Sequence, residues 1–485
     1  MHTQNKILSV IIGLLLFTPV ILAQDFRVEK DLLGEKQIPN DAYYGVQTLR
    51  ALENFQISGV TTKDYPELVN AFVIVKIAAA RANYESGALP KYVLDAVEKA
   101  GNEVLSGKYH DQFLVDLYQG GAGTSANMNV NEVLANIALE LSGHPKGDYA
   151  YIEPHDHLNM SQSTNDSYPT SLKIAMILMN QKLVPELEAL IKSFEAKGKE
   201  FENVLKMGRT ELQDAVPMTL GQEFFAFASQ LKGAIKELQQ AEEYLYVINM
   251  GGTAIGTRLN AQKGFVENCA KHLADLTNKK IVPAEDLIAA TSDLSAFVVY
   301  SGALNSLAVK LSKIASDLIL LASGPRTALF EINLPPLQPG SSIMPGKVNP
   351  VMPELLNLVA FRVMGNDVAV TIAAKTGQLQ LNAYEPLALS SILESQKLLT
   401  NSMKAFRISC IDGITANQKI TDRYIEQSVG IVTALNPVLG YEKATELAKE
   451  ALETGKGILE LVREKKLLTE EQIKEVLDPK KMTGQ

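Results

Sequence analysis

The chain lacks tryptophan entirely and carries only two cysteines, Cys269 and Cys410. Two cysteines permit at most one disulfide, and no closely spaced pair of the CxxC kind offers a zinc site. The sequence is therefore typical of neither a disulfide-stabilised scaffold nor a zinc-binding module. Isolated cysteines of this kind usually behave as small buried hydrophobic residues.

No block of basic residues appears along the chain, and the overall charge balance is acidic. The 46 Lys and Arg residues against 55 Asp and Glu residues give a formal net charge of -9. This excess of acid argues against a nucleic-acid partner. Hydrophobic residues make up 46% and charged residues 21% of the 485 positions, which is typical of a globular chain with two or three structural regions.

One long hydrophobic run lies at the N-terminus. Residues 7–23 are almost wholly apolar and follow a short segment with one lysine. This pattern predicts a signal peptide over residues 1–23, cleaved after Ala23, and hence an exported protein, periplasmic or secreted. The alternative is a retained membrane anchor, because the run is close to spanning length. We expect no later stretch to be long and apolar enough to cross a bilayer.

Helical periodicity dominates the middle of the chain. Leu187, Leu190, Ile191 and Phe194 lie on one helix face, and the leucines of residues 304–318 repeat this pattern. Several long helices joined by few turns predict a mainly α fold with an elongated bundle. The expected regions are an N-terminal domain over residues 24–163, a central helical-bundle domain over 164–418 and a small C-terminal domain over 419–485.

Four polar segments interrupt the helical patterns, at residues 120–129, 161–166, 208–214 and 340–350. Neutral hydroxyls and amides dominate them, which suits recognition of a small, highly charged ligand by directed hydrogen bonds. In the last segment, two glycines and two prolines exclude a regular helix or central strand. Its backbone N–H groups and its lysine could receive an anion.

Each segment also has a purely structural interpretation. By composition, residues 340–350 are more typical of a surface connector. Residues 163–166 could cap the helix that follows. Residues 120–123 lack the lysine of a P-loop and the order of a dinucleotide-binding loop, which excludes both. Residues 155–157 (HDH) could bind a metal, but local hydrogen bonding of a loop pair is the favoured interpretation.

The run GSSIMPGKVNP at residues 340–350 resembles the signature loop of the fumarase/aspartase superfamily of lyases. The resemblance extends over nearly the whole chain after the leader. The flanks at residues 41–55, 282–288 and 331–335 are similar to the aspartase branch. So is VMPE at residues 351–354, where fumarases typically carry TQCE.

This resemblance implies a three-part, mainly α fold in which the central helices of a homotetramer form a twenty-helix core. Active sites would lie where three subunits meet. The implied reaction is an anti elimination that converts L-aspartate reversibly into fumarate and ammonium, without metal or organic cofactor. Two alternatives stay open, namely fumarate hydratase on the same scaffold and a catalytically silent structural homologue.

By the same resemblance, Ser341 is the general base that removes the Cβ proton and forms an enediolate. Negative charge then accumulates on an already anionic group, so the site must bind this dianionic intermediate far better than the substrate. Four hydroxyl groups are expected around the β-carboxylate, those of Thr124, Ser163, Thr164 and Ser342.

The other end of the substrate would be bound by amide, hydroxyl and ammonium groups. The α-carboxylate is expected on Lys347 and Asn349, and the leaving ammonium on Asn165 and Thr210. Closure of the loop at residues 340–350 over the substrate would exclude water and strengthen these contacts.

One position departs from the superfamily pattern. The family usually has His or Gln after the GRT triplet of residues 208–210, and this chain has Glu211. In fumarases that His pairs with the glutamate matching Glu354, which we expect to have a supporting role. Two carboxyl groups at close range cannot both ionise comfortably, so one of them would hold a proton. Our hypothesis is that Glu211 contacts the substrate ammonium directly; the alternative is that it points to solvent.

Overall fold

The computed structural model describes residues 25–482 of the chain. The predicted signal peptide lies outside the described residues, so the leader and the expected export stay predictions. The described elements are mostly helical, which confirms the expected fold class. The helices are α1 (Val46–Asn54), α2 (Pro66–Glu85), α3 (Lys91–Leu105), α4 (Thr124–Leu141), α5 (Thr164–Glu200), α6 (Leu220–Glu243), α7 (Phe265–Thr277), α8 (Leu287–Ser292), α9 (Ser295–Leu321), α10 (Val351–Thr376), α11 (Glu385–Ser409), α12 (Gln418–Gln427), α13 (Val432–Leu439), α14 (Tyr441–Thr454), α15 (Ile458–Glu464), α16 (Glu470–Val476) and α17 (Pro479–Met482).

Short strands pair in twos beside these helices. The strands are β1 (Phe26–Asp31), β2 (Gly34–Pro39), β3 (Leu205–Thr210), β4 (Gln213–Thr219), β5 (Val247–Ile248), β6 (Val282–Pro283), β7 (Ile332–Asn333) and β8 (Thr415–Ala416). The pairs β1–β2, β3–β4 and β7–β8 are antiparallel and β5–β6 is parallel. The β3–β4 hairpin carries a bulge between Met207 and Arg209, which strengthens its local twist.

Five long helices form the centre of the chain and close into a ring. Helix α5 packs against α6 and α11, α6 packs against α9, and α10 packs between α9 and α11. The predicted apolar stripe of α5 is buried at Leu187, Leu190, Ile191 and Phe194. Removing these side chains from water is the main force that holds the ring together. The bundle predicted from the periodicity is therefore confirmed.

Side-chain contacts show the relative directions of the helices. Helix α6 is antiparallel to α5, because Lys232 and Glu242 of α6 pair with Glu195 and Asn180 of α5. Helix α9 is antiparallel to α6 and α10 is antiparallel to α9 in the same way. We call the side of the bundle where α5 begins the near end, and the side where α5 ends the far end. Helices α6 and α10 run from the far end to the near end.

Helix α10 presents an unusually apolar outer face. Its most apolar window is one-third buried, and the helix is long and apolar enough to cross a membrane by length and composition. The expectation that no later stretch meets that criterion is therefore wrong. Because α10 packs along α9 and α11, it is part of the bundle. The exposed apolar side chains on this face are Leu355, Leu358, Phe361, Val368 and Ile372.

A second, smaller hydrophobic core joins the β3–β4 hairpin to the C-terminal helices. Met207 of β3 packs in this core with Ile425, Leu435, Ile458 and other side chains of α12 to α16. The hairpin and the C-terminal helices therefore share a core apart from the bundle. The domain boundaries at residues 163/164 and 418/419 stay predictions.

Candidate active site

The segment at residues 120–129 turns into helix α4 through a glycine that no other residue could replace. Gly123 is the N-cap residue, with φ of 86°, and a Cβ there would lie 2.4 Å from the ring of Tyr168. Thr124 then begins the helix with its side chain exposed, and its hydroxyl donates to Gly121 O at 2.8 Å. The predicted residue Thr124 thus lies at an open helix N-terminus.

The segment at residues 161–166 caps helix α5, as its structural interpretation predicted. Ser163 is the N-cap residue: its Oγ accepts from Asn165 N at 3.2 Å, and its N–H donates to Asp166 at 3.0 Å. A capping oxygen still has its own proton to donate to a ligand. Asn165 Nδ2 donates to Ala254 O at 2.7 Å, so its Oδ1 is the atom that can accept from a ligand.

A bond between side chains joins the two helix starts. Asn127 Nδ2 of α4 donates to Thr164 Oγ1 of α5 at 3.2 Å. The structure therefore brings Thr124, Ser163, Thr164 and Asn165 to the near end, on two adjoining helix N-termini. Because each N-terminus carries partial positive charge, this end favours an anion.

A buried lysine that the sequence analysis did not single out lies beneath these helix starts. Lys76 of α2 donates to Asn127 Oδ1 at 2.8 Å and to Gln162 Oε1 at 2.9 Å. Burial lowers the pKa of Lys76 to about 7. Its one sequence signal is a single charge within the apolar run VIVKIAAA at residues 73–80.

The loop at residues 340–350 lies at the far end, between β7 and α10. Ser341 Oγ accepts from the backbone N–H groups of Ile343 at 3.2 Å and Met344 at 3.0 Å. Gly340 N donates to Lys347 O at 2.6 Å and Asn349 Nδ2 donates to Gly340 O at 2.9 Å, which closes the loop at its base. The oxygen predicted to act as a base is thus held by two N–H donors.

The same loop is open on its outer side. Ser342 and Lys347 are exposed, and a recess of ≈ 470 Å³ is lined by residues between Pro336 and Val348 alone. Glu354 follows in the first turn of α10 and is also exposed. Its predicted supporting role stays a prediction.

The hairpin at residues 205–219 carries the third group of predicted residues. Thr210 and Glu211 are exposed at its tip, where Glu211 and Leu212 have φ of 53° and 64°, as in tight hairpin turns. Just before the tip, Arg209 forms an ion pair of 2.5 Å with the buried Glu331. This pair anchors the hairpin beside the strand β7 that leads into the loop at 340–350.

Two groups of predicted residues are therefore separated by the length of the bundle. A helix of 37 residues is about 55 Å long, and α5 connects Thr164 at the near end to the hairpin that carries Thr210 at the far end. The near-end group is Thr124, Ser163, Thr164 and Asn165. The far-end group is Thr210, Glu211, Ser341, Ser342, Lys347, Asn349 and Glu354.

The other polar candidates have structural roles. His155 bonds Glu153 and Gln47, and His157 accepts from Glu153 N, so the favoured interpretation of a locally hydrogen-bonded pair is confirmed. Within residues 25–482, His, Cys, Asp and Glu form no group of three or more that could hold a metal ion. Cys269 and Cys410 are both buried and free, as expected.

Comparisons with known proteins agree with this architecture. Residues 34–365 match the family described as Lyase, and residues 431–484 match the family described as Fumarase C C-terminus. The aspartate ammonia-lyase of Pseudomonas aeruginosa is 56% identical over 457 residues, which is 94% of this chain and 96% of that protein. The aspartate ammonia-lyase of Escherichia coli K12 is 54% identical over 94% of this chain and 95% of that protein.

Solved structures of similar proteins have the same fold. A fumarate lyase:delta crystallin from Brucella melitensis bound to cobalt superposes with a TM-score of 0.90 at 50% identity, over 94% of this chain and 99% of that one. The class II fumarase of Schistosoma mansoni superposes with a TM-score of 0.86 at 36% identity, again over 94% of this chain and 99% of that one. The chain belongs to the lyase family that contains the fumarases and aspartases, which confirms the resemblance in its sequence.

We predict that Asn349 keeps the loop at residues 340–350 closed at its base. Asn349→Ala removes the bond to Gly340 O, and a hydrogen bond of this kind contributes roughly 0.5–1.5 kcal/mol. Trypsin should then cleave after Lys347 about three to ten times faster. Gln338→Ala, at an exposed position of the same segment, is the control and should leave the cleavage rate unchanged. Equal rates for both variants would contradict the prediction.

Proposed function

We propose that this chain is an aspartate ammonia-lyase, which converts L-aspartate reversibly into fumarate and ammonium by anti elimination. Similarity to aspartate ammonia-lyases over at least 94% of the chain supports the choice of substrate. The observation that carries the chemistry is the position of Ser341 Oγ, which accepts from two backbone N–H groups.

Ser341 is the general base in this proposal. A serine hydroxyl is a poor base until it ionises, and its oxyanion needs donors that are already in place. The N–H groups of Ile343 and Met344 are such donors, at 3.2 and 3.0 Å. The ammonium of Lys347 in the same loop adds positive charge. Once the hydroxyl, which lies in an exposed loop, has lost its proton to solvent, the oxyanion removes the proton from Cβ of aspartate, next to the β-carboxylate, and becomes a hydroxyl again.

The β-carboxylate receives the charge that this step releases. Hydroxyl groups on the starts of α4 and α5 suit the enediolate, because a hydroxyl can donate its proton while the helix N-terminus adds partial positive charge. The Thr124 hydroxyl must first turn its proton away from Gly121 O. Removing one such donor typically costs about 10²–10³ in kcat. The donors in this proposal are Thr124, Ser163 and Thr164 at these helix starts, together with Ser342 from the loop at residues 340–350.

The α-carboxylate and the leaving amine are bound by a different set of groups. Lys347 supplies an ammonium for the α-carboxylate, and Asn349 supplies the Nδ2 proton that is not used on Gly340 O. Asn165 Oδ1 and the Thr210 hydroxyl oxygen accept from the ammonium and orient it for departure. No group in this set requires a metal or an organic cofactor.

Several copies of the chain are needed to assemble this site. The near-end and far-end groups lie at opposite ends of a helix about 55 Å long, so a second chain must bring them together. The exposed apolar face of α10 suits burial against another copy. We therefore propose a homotetramer in which the five-helix rings of four chains form a twenty-helix core, with each site shared by three chains.

The purified protein should produce fumarate from L-aspartate, measured by ultraviolet absorbance, and release ammonium in equal amount. Ser341→Ala should lower kcat by about 10²–10⁴-fold, because the proton loses its acceptor. Ser106→Ala, at the exposed C-cap of α3, is the matched control and should leave kcat unchanged.

The same assay separates the alternatives. Fumarate from L-malate but not from aspartate would favour fumarate hydratase. Fumarate from neither substrate would favour a silent structural homologue. An active Ser341→Ala enzyme would contradict the proposed base.

We also predict that Glu211 contacts the substrate ammonium and thereby favours an amine over a hydroxyl leaving group. Glu211→Gln keeps the size and removes the charge, so KM for aspartate should rise about tenfold, equivalent to about 1.4 kcal/mol. The pH profile of kcat/KM should change with it. Glu453→Gln, at an exposed position of α14, is the control. If aspartate kinetics and their pH profile match wild type, Glu211 points to solvent instead.

A further inference from the structure

Lys76 is a fully buried lysine with no catalytic or assembly role in the proposal above. It lies in the middle of α2, where most side chains are apolar and buried, and only 1% of its surface is exposed. Removing an ammonium from water is costly, so a lysine at such a position needs a compensating interaction. Its neighbours indicate what that interaction is.

The Lys76 ammonium donates to three uncharged acceptors. These are Asn127 Oδ1 at 2.8 Å, Gln162 Oε1 at 2.9 Å and Asn159 Oδ1 at 3.2 Å. The three bonds satisfy the protons of the ammonium without placing a negative charge in contact with it. Amide oxygens therefore fix the position of the charge but leave it available to an anion nearby.

These amides lead directly to the proposed β-carboxylate pocket. Asn127, which accepts from Lys76, donates through its Nδ2 to Thr164 Oγ1 at 3.2 Å. Gln162 immediately precedes Ser163, the N-cap residue of α5. One amide thus separates the ammonium from a hydroxyl that the proposed function assigns to the substrate carboxylate.

We propose that Lys76 is a positioning residue that supplies a buried positive charge beneath the β-carboxylate pocket and takes up a proton when a dicarboxylate binds. This inference rests on the proposed function, because it assumes that the near-end hydroxyls receive the β-carboxylate. The charge acts through Asn127 and Thr164, and Lys76 itself does not touch the substrate.

The helices packed against Lys76 present few charged or titratable groups to it. Helix α4 presents the amide of Asn127, α5 presents Asp166 and α7 presents Cys269. Among residues 25–482, α3 and the turn before α2 add no further charge that acts on it. Asp166 is the competing titratable group, because burial raises its pKa to about 7 against the backbone N–H bonds from Ser163, Gly251 and Thr253.

The sign of the pH effect follows from these groups. Burial lowers the pKa of Lys76 to about 7, so in the free protein the side chain is mostly neutral above that pH. A bound dianion favours the charged form and raises the pKa again. At a pH between the pKa of Lys76 in the free protein and its higher pKa in the complex, binding takes up close to one proton. The affinity for the dianion then falls about tenfold for each unit by which the pH rises.

Titration calorimetry of the full-length protein with fumarate at pH 8 tests the proposal. Comparison of two buffers with different ionisation enthalpies measures proton uptake. Wild type should take up close to one proton, whereas Lys76→Met should take up none and bind fumarate at least tenfold more weakly below pH 7. Lys173→Met removes another buried lysine, which donates to Val247 O and whose pKa burial lowers to about 8. This control should keep the wild-type uptake.

Two results would overturn the role of Lys76. One is a wild-type protein that converts aspartate but binds fumarate without proton uptake. This result does not depend on whether the Lys76→Met variant folds. The other is a Lys76→Met protein that keeps both the uptake and the affinity, which would assign the proton to Asp166. Proton uptake on fumarate in a chain that does not convert aspartate would support Lys76 and contradict the lyase proposal instead.

Discussion

The length of helix α5 is the constraint on which the rest of the structure depends. It runs for 37 residues between the segment that carries Ser163 and the hairpin that carries Thr210. Because a packed helix of this length does not bend back on itself, no rearrangement within one chain can bring its ends together. The ring of α5, α6, α9, α10 and α11 makes that separation rigid. Any site that uses both groups of residues must be built between chains.

Each end of the bundle offers a different kind of electrostatic environment. At the near end, the starts of α4 and α5 provide partial positive charge that is fixed within the fold, and the buried Lys76 adds a full charge when it is protonated. At the far end, Lys347 and the N–H groups around Ser341 lie on an exposed loop. A rigid anion pocket that meets a loop carrying the proposed base would suit a reaction in which charge moves from that base onto a carboxylate.

Much of the fold and of the candidate site could be predicted from the sequence, for identifiable reasons. The apolar stripe at Leu187 to Phe194 follows helical spacing, so the bundle was predictable. Ser163 lies in a polar run just before a helical pattern, so its placement at a helix start followed from capping rules. The loop at residues 340–350 was predictable from its glycines and prolines.

Three features could not be predicted in the same way. The separation of the two groups depends on which direction each helix runs, and local sequence does not encode that. Lys76 is a single polar residue in an apolar helix, and its importance depends on Asn127, Asn159 and Gln162, which are distant in the chain. In the sequence, the apolar face of α10 cannot be told from the face of a core helix, and only the packing shows that it is exposed. Each is a property of tertiary contacts.

Mixing two inactive variants tests the central claim, that each site is shared between chains. Ser163→Ala disables the near-end group and Ser341→Ala disables the far-end group, so each homogeneous protein should have little activity. If the two groups come from different chains, hybrids formed by co-refolding equal amounts should regain roughly a quarter of wild-type activity, the random share of sites with both groups intact. A mixture that stays as inactive as its components would show that both groups act within one chain.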